Sequence, residues 1–107
     1  MDFKEYQALA ERTVNGQDER ERYLNYSMGL VGEAGEVVDS IKKVMFHGHE
    51  MDTDHLKKEL GDVLWYIATL ASTAGLELED VAKGNIEKLM KRYPDGFSSE
   101  HSINRNE

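Results

Sequence analysis

The chain has 107 residues, and its 21 acidic side chains outnumber its 13 basic ones, giving a formal net charge of −8. This length suits one domain, and the acidic balance argues against a nucleic-acid partner, because nucleic-acid backbones are bound mainly through Lys and Arg. With no cysteine, a disulfide framework and a thiolate metal site are excluded, so a metal would be a hard cation on oxygen ligands or an ion bound by histidine.

Four helices are predicted in chain order, because apolar residues recur at helical spacing between short polar or glycine-containing breaks. No segment shows the alternation of a strand, so the predicted fold class is an all-α, four-helix bundle-like domain over residues 1–97. The polar tail, 98–107, is expected to fray, and Phe97 is expected to fold back onto the core. The predicted helices run from Asp2 to Val14, from Gln17 or Asp18 to Met45, from Asp52 or Thr53 to Gly75, and from Leu78 to Arg92.

The small size of the domain predicts an oligomer. A domain of this length buries only about two-thirds of its unfolded surface, and helices in such chains often finish burying their apolar faces against a second subunit. No apolar run approaches the roughly 18 residues of a membrane span, and the amino terminus has no signal-peptide pattern. A cytoplasmic protein without a membrane partner is therefore expected.

The second and third helices contain a near-duplicate segment: Leu30–Ile41 matches Leu56–Ile67 at a constant offset. Each copy carries two acidic residues three apart, which lie on the same side of a helix. If the helices pack antiparallel, as their short connection favours, the two acid pairs can face each other across one cleft. The aligned acids are Glu33 with Glu59 and Glu36 with Asp62.

Four carboxylates in one cleft predict a metal site. Like charges a few Å apart raise one another's pKa or require a counter-ion, and a divalent ion with oxygen ligands is the usual solution. Mg²⁺, with Mn²⁺ as a substitute, is the expected ion. The alternative is that these acids only solvate a helix surface, as most such pairs do. Their duplication within the two most apolar helices and the glycines beside them distinguish these two pairs from the others, but the residues alone leave both interpretations open.

Glycines inside the second and third helices need an explanation, because each costs roughly 0.8–1.0 kcal/mol relative to Ala. Close approach of a neighbouring helix is favoured over room for a ligand. Trp65 lies away from the main apolar stripe, so it is expected to meet another subunit or to line a pocket. The four glycines are Gly29, Gly32, Gly35 and Gly61.

These motifs resemble the all-α nucleoside triphosphate pyrophosphohydrolases of the MazG-like superfamily, which carry Glu-x-x-Glu on one helix and Glu-x-x-Asp on the next. The resemblance runs from about Phe3 to Phe97. One departure is Gly32, because many members have a further Glu at that position, and the identity of the residue that activates water is therefore open.

The resemblance implies magnesium-dependent hydrolysis of nucleoside triphosphates to monophosphate and pyrophosphate, with a role in cleansing the nucleotide pool and assembly as a homodimer or homotetramer. Glu33, Glu36, Glu59 and Asp62 would bind the metal, and Glu33 is the candidate general base because it begins the first pair.

The fourth helix supplies the polar groups for the triphosphate. The resemblance implies that Asn85 and Lys88 contact the phosphates or their metals, and Arg92 lies four residues after Lys88 on the same face. An ordinary exposed basic face is the alternative. The rival functions are a phosphoribosyl-ATP pyrophosphohydrolase and a non-catalytic helical oligomerisation module. His47 and His49 flank Gly48 in a predicted loop, where a metal site would lack an obvious third ligand.

Overall fold

In the computed structural model, which describes residues 1–105, the chain is all-α and contains no strand. The predicted fold class is confirmed, and each of the four predicted helices is present. No helix in the described part of the chain is long and apolar enough to cross a membrane. The helices of residues 1–105 are α1 (Phe3–Glu11), α2 (Glu19–Phe46), α3 (Thr53–Thr73), α4 (Leu78–Arg92) and α5 (Ser99–Ile103).

Aspartate side chains start the first three helices. Asp2, Asp18 and Asp52 each accept a hydrogen bond from the backbone N–H three residues later, at 2.8, 2.8 and 3.0 Å, which satisfies a donor that the helix itself leaves open. At the end of α3, Gly75 adopts φ +73°, a left-handed conformation that favours glycine, and the chain leaves the helix there.

The carboxyl-terminal part of the chain differs from expectation. Phe97 does not fold back onto the core: it is 75% exposed, with its ring centroid 5.2 Å from that of Tyr93. The expected polar tail contains the short helix α5, started by Ser98, whose hydroxyl accepts from the backbone N–H of His101 at 3.0 Å. Residues 106–107 of that tail lie outside the described residues, and the domain boundary at residue 97 stays a prediction.

The helices α2 and α3 form an antiparallel pair, as predicted. Arg22, near the start of α2, donates a hydrogen bond through Nε to Thr73 Oγ1 at the end of α3, at 3.0 Å. Ser40, near the end of α2, donates to Glu59 in the first half of α3. The α2 positions therefore run against the α3 positions along the whole pair.

Close helix approach explains only one of the four glycines. A Cβ atom built on Gly29 would overlap the side-chain ring of Tyr66, so α2 can pack against this ring only without a side chain there. Among the described residues, nothing lies within 4 Å of a Cβ built on Gly32, Gly35 or Gly61. For these three glycines the predicted explanation is wrong within one chain, because they face open space.

The core lies where α1 and α4 pack onto α3. Its centre consists of Ala10, Ala68 and Leu78, and Trp65 packs against it. Trp65 also contacts Tyr26 edge-on, with ring centroids 5.6 Å apart, and donates its indole N–H to a threonine hydroxyl after α1 at 2.8 Å. Trp65 is half-buried by these contacts within its own chain, and its predicted contact with another subunit or a pocket stays a prediction.

Candidate metal centre

The two acid pairs lie in the middle of the α2–α3 pair. In an antiparallel pair, facing residues have numbers with a constant sum, and the contact of Gly29 with Tyr66 sets that sum. The hydrogen bond between Arg22 and Thr73 has the same sum. This register brings Glu33 opposite Asp62 and Glu36 opposite Glu59.

The electrostatics of Glu33 show that the four carboxylates influence one another. The pKa of the Glu33 carboxyl is raised above its ordinary value, first by removal from water and then by the negative charges of Asp62, Glu36 and Glu59. Like charges disfavour the ionised form of a neighbouring acid. The structure therefore brings both acid pairs into one electrostatic neighbourhood, as the duplicated segment predicted.

The four side chains differ in exposure. Glu59 is buried, with 6% of its surface exposed, whereas Glu33 is half-buried and both Glu36 and Asp62 are exposed. In the conformations described for residues 1–105, no three His, Asp or Glu side chains converge closely enough to hold one ion. Carboxylate oxygens are nevertheless the donors that Mg²⁺ prefers, and the exposed pair can rotate toward the other two. The donor set fits a hard cation.

Glu59 has two polar neighbours that act on the same oxygen. Ser40 Oγ on α2 donates to Glu59 Oε1 at 2.5 Å, and His55 Nε2, one turn earlier on α3, lies 3.3 Å from that oxygen. Neither Ser40 nor His55 is among the site residues predicted from the sequence. Their spacing was a usable signal, since Ser40 follows Glu36 and His55 precedes Glu59 by four residues, which places each on the same helix face as its acid.

A basic residue also lies beside the acids. Lys43 forms an ion pair with Asp39 at 3.0 Å, and this pair raises the pKa of Lys43, with smaller contributions from Glu36 and Glu59. Lys43, Ser40 and His55 line a cavity of about 210 Å³ at the end of the α2–α3 pair. His49 lines the same cavity, whereas His47 is the exposed residue that ends α2.

The predicted substrate-binding residues on α4 do not all line the same cavity. Asn85 and Lys88 are exposed and line a cavity of about 480 Å³ together with Phe3 and Leu64. Arg92 is half-buried, and its guanidinium carbon lies 5.9 Å from the centroid of the Tyr93 ring. The structure therefore brings Asn85 and Lys88 to one cavity, and Arg92 is not among the residues that line it.

Asp62 and this cavity both lie near α1. Burial and then the charge of Asp62 raise the pKa of Tyr6 on α1, so Asp62 lies toward α1. Phe3 stands one turn before Tyr6, and Leu64 stands two residues after Asp62; both line the cavity. The four carboxylates are not among its lining residues, so the acid pairs and this cavity do not form one pocket.

Comparison with known proteins finds a matching family model and several similar proteins. The family model of the MazG nucleotide pyrophosphohydrolase domain matches residues 21–97, a range that includes all four carboxylates and the three α4 residues. The chain is 40% identical over 83 residues to the Gene 37 protein of Mycobacterium phage L5, covering 74% of this chain and 73% of that protein.

Two uncharacterized proteins of Bacillus subtilis (strain 168) are also similar. YvdC is 36% identical over 73 residues, which are 60% of this chain and 69% of YvdC. YabN is 31% identical over 84 residues, which are 75% of this chain but only 16% of YabN. No solved structure matches at the significance threshold that these proteins meet.

Proposed function

Because this chain belongs to the MazG nucleotide pyrophosphohydrolase family, we propose that it hydrolyses nucleoside triphosphates to monophosphate and pyrophosphate in a magnesium-dependent reaction. The observation that carries the proposal is the register of α2 against α3, which places Glu33 opposite Asp62 and Glu36 opposite Glu59. The raised pKa of Glu33, caused first by removal from water and then by the three other carboxylates, agrees with this register. Negative charge gathered in this way is relieved by a divalent cation. The biological purpose we propose is cleansing of the cytoplasmic nucleotide pool.

The four acidic residues would have different roles in the reaction. Glu36, Glu59 and Asp62 would act as metal ligands, and Glu33 would both contact the metal site and serve as general base. A bound magnesium ion supplies orientation of the triphosphate, compensation of charge on its oxygens and a lower pKa for the attacking water. Glu33 suits the base role because a carboxyl whose pKa is raised accepts a proton more readily near neutral pH.

Proton and bond changes balance in this scheme. The water oxygen forms a bond to the α-phosphorus while Glu33 accepts a proton from that water, and the bond from the α-phosphorus to the oxygen that bridges to the β-phosphate breaks, so that pyrophosphate leaves with the bridging oxygen. Asn85 and Lys88 are proposed to bind phosphate oxygens, because they line one cavity within the range that the family model matches, and Lys88 carries the needed positive charge. Arg92 stays a weaker prediction, since it does not line that cavity.

We also propose that the protein works as a homo-oligomer, with a dimer as the smallest unit. The Cα radius of gyration is 16.9 Å, against about 13 Å for a compact domain of this length, so one chain leaves much of its surface uncovered. Apolar side chains spaced three, four or seven residues apart project from α2 into open space, as in a helix that packs on another. They are Leu24, Met28, Val31, Val38 and Met45, each between 47% and 73% exposed.

The test is release of pyrophosphate from a panel of common ribo- and deoxyribonucleoside triphosphates and phosphoribosyl-ATP, with Mg²⁺ and with chelator. The Asp62→Asn variant should lose activity by at least about 100-fold, since loss of groups that merely support a metal ligand already costs 10–100-fold. Asp54→Asn is the matched control, because Asp54 lies exposed in the first turn of the same helix.

The outcomes separate the candidate functions. Preference for phosphoribosyl-ATP would assign the rival substrate. No pyrophosphate from any compound, together with a melting temperature that Mg²⁺ does not change, would favour a non-catalytic oligomerisation module. If Asp62→Asn is as active as Asp54→Asn, Asp62 is not a metal ligand.

A further inference from the structure

The two near-duplicate acid pairs have different surroundings. Glu59 is buried, and Glu33, which occupies the equivalent position in the other copy, is half-buried. The difference has a local cause, because Ser40 and His55 both contact Oε1 of Glu59. The duplication of sequence therefore does not extend to a duplication of environment.

The internal offset shows why only one copy has these contacts. At the same offset, Ser40 corresponds to Tyr66 within the duplicated segments, and His55 corresponds to Gly29 at the position directly before them. At one end of the acid cluster a hydroxyl and an imidazole face each other across the helix pair. At the other end, the equivalent positions are filled by the tyrosine ring packed on the glycine.

We infer that Ser40, assisted by His55, is a positioning residue that fixes Glu59 so that Oε2 is the oxygen available to the cation. The inference rests on the proposed function. A serine hydroxyl has one proton to donate, and here that donation crosses from α2 to α3. It holds a buried carboxylate in one orientation before any ion arrives.

Groups that orient a metal ligand in this way typically contribute 10–100-fold to metal affinity or activity. The inference also assigns different roles to equivalent acids. Glu59, fixed by two neighbours and buried, is the rigid ligand, whereas half-buried Glu33 keeps the freedom that a proton acceptor needs. Loss of the Ser40 hydroxyl should therefore weaken binding of the metal before any substrate is present.

The test measures the Mn²⁺ dissociation constant of the full chain without nucleotide, by titration calorimetry and by electron paramagnetic resonance of free Mn²⁺. Ser40→Ala should raise this constant by about 10–100-fold, and Ser40→Thr, which keeps the hydroxyl, should stay within about 3-fold of the unchanged protein. Ser27→Ala is the matched control, because Ser27 also lies on α2 but donates to the carbonyl of Leu24 in its own helix.

Steady-state kinetics give a second readout. In Ser40→Ala the Mg²⁺ concentration for half-maximal rate should rise by the same factor as the Mn²⁺ dissociation constant. The kcat at saturating Mg²⁺ should change less than about 3-fold. A general loss of structure would instead lower kcat and helix content together. If circular dichroism shows that Ser40→Ala loses helix content, Ser40→Cys replaces it as the test variant, because cysteine is close to serine in size and its thiol is a weak donor. Ser40→Cys must then show the same rise in the Mn²⁺ dissociation constant.

Unchanged Mn²⁺ affinity in Ser40→Ala, or equal losses in Ser40→Ala and Ser27→Ala, would overturn the inference. A failure of the proposed function alone gives a different result. The wild-type protein would bind Mn²⁺ tightly and Ser40→Ala would bind it more weakly, but the wild-type protein would release no pyrophosphate. If the unchanged protein binds no Mn²⁺ at millimolar concentration, the positioning role is wrong as well.

Discussion

Replacement of Gly29 by alanine should disturb the contact that sets the register of α2 against α3. The new methyl group would overlap the ring of Tyr66. That ring cannot turn aside freely, because it packs edge-on against Trp65 with ring centroids 5.1 Å apart and lies 6.3 Å from the ring of the buried Tyr26. The helices would have to separate, and the acid pairs one turn further along would separate with them.

Two opposing effects determine the size of the change. Alanine is favoured over glycine within a helix by roughly 0.8–1.0 kcal/mol, whereas overfilling a packed site costs about 1–3 kcal/mol. Gly29→Ala should therefore lower the free energy of unfolding by roughly 0–2 kcal/mol. Gly84→Ala is the matched control, since Gly84 lies inside α4 with nothing within 4 Å of its added Cβ among the described residues, and it should be stabilised by up to about 1 kcal/mol.

The assay is urea denaturation followed by circular dichroism, with both variants at the same protein concentration because an oligomer's stability depends on it. The difference between the two variants isolates the overpacking cost, about 1–3 kcal/mol, which corresponds to roughly 4 °C or more in melting temperature. If Gly29→Ala is as stable as Gly84→Ala, the close approach of Tyr66 is wrong, and so is the register derived from it.

Three further predictions concern charge, the core and assembly. Without divalent ions, the stability of the wild-type protein relative to Glu33→Gln should increase as pH falls through the raised pKa of Glu33, because a pKa raised in the folded state favours folding of the protonated form. Urea midpoints of both proteins across pH 4 to 8 test this. An increase of the wild-type protein's relative stability with rising pH would contradict it. Gln7→Ala should lower the free energy of unfolding by about 1–3 kcal/mol in the same assay, since it removes the acceptor at 2.8 Å from the N–H of buried Leu78 and the amide that donates to Ser72 Oγ; an unchanged urea midpoint would contradict this. Val31→Glu should shift a dimer toward monomer in light scattering, and an unchanged mass would place the subunit contact elsewhere.

The helices could be predicted from the sequence because their signals are local. Apolar spacing marks each helix, and aspartates such as Asp18 and Asp52 mark the starts by accepting backbone N–H groups. For α4 the predicted bounds, Leu78 to Arg92, match the structure. The first helix stops at Glu11 rather than Val14, because the backbone N–H groups of Thr13 and Val14 donate to carbonyls three residues earlier, in a tighter turn than the α-helix.

Contacts between helices could not be predicted in the same way, because they depend on which residues face one another. Gly29 and Gly32 look equivalent in the sequence, yet the first meets a tyrosine ring and the second meets open space. Trp65 leaves the apolar stripe of its own helix, but α1 supplies the cover that a single-helix view cannot show. Ser40 became a candidate only when the register placed it against Glu59.

The arrangement of the acid pairs could be predicted from the sequence only in part. Their duplication predicted that they would face each other, and the effect of the other three carboxylates on the pKa of Glu33 agrees with that geometry. The unequal burial of Glu33 and Glu59 was not predictable from the duplication, since the cause lies in the neighbours supplied by the opposite helix.

Anomalous diffraction from crystals grown with Mn²⁺ can determine whether both acid pairs bind metal between α2 and α3. We expect a Mn²⁺ peak between the two helices at roughly 2.0–2.3 Å from oxygens of Glu36, Glu59 and Asp62, and no such peak in Asp62→Asn crystals. Peaks found only elsewhere on the protein, at saturating Mn²⁺, would contradict it.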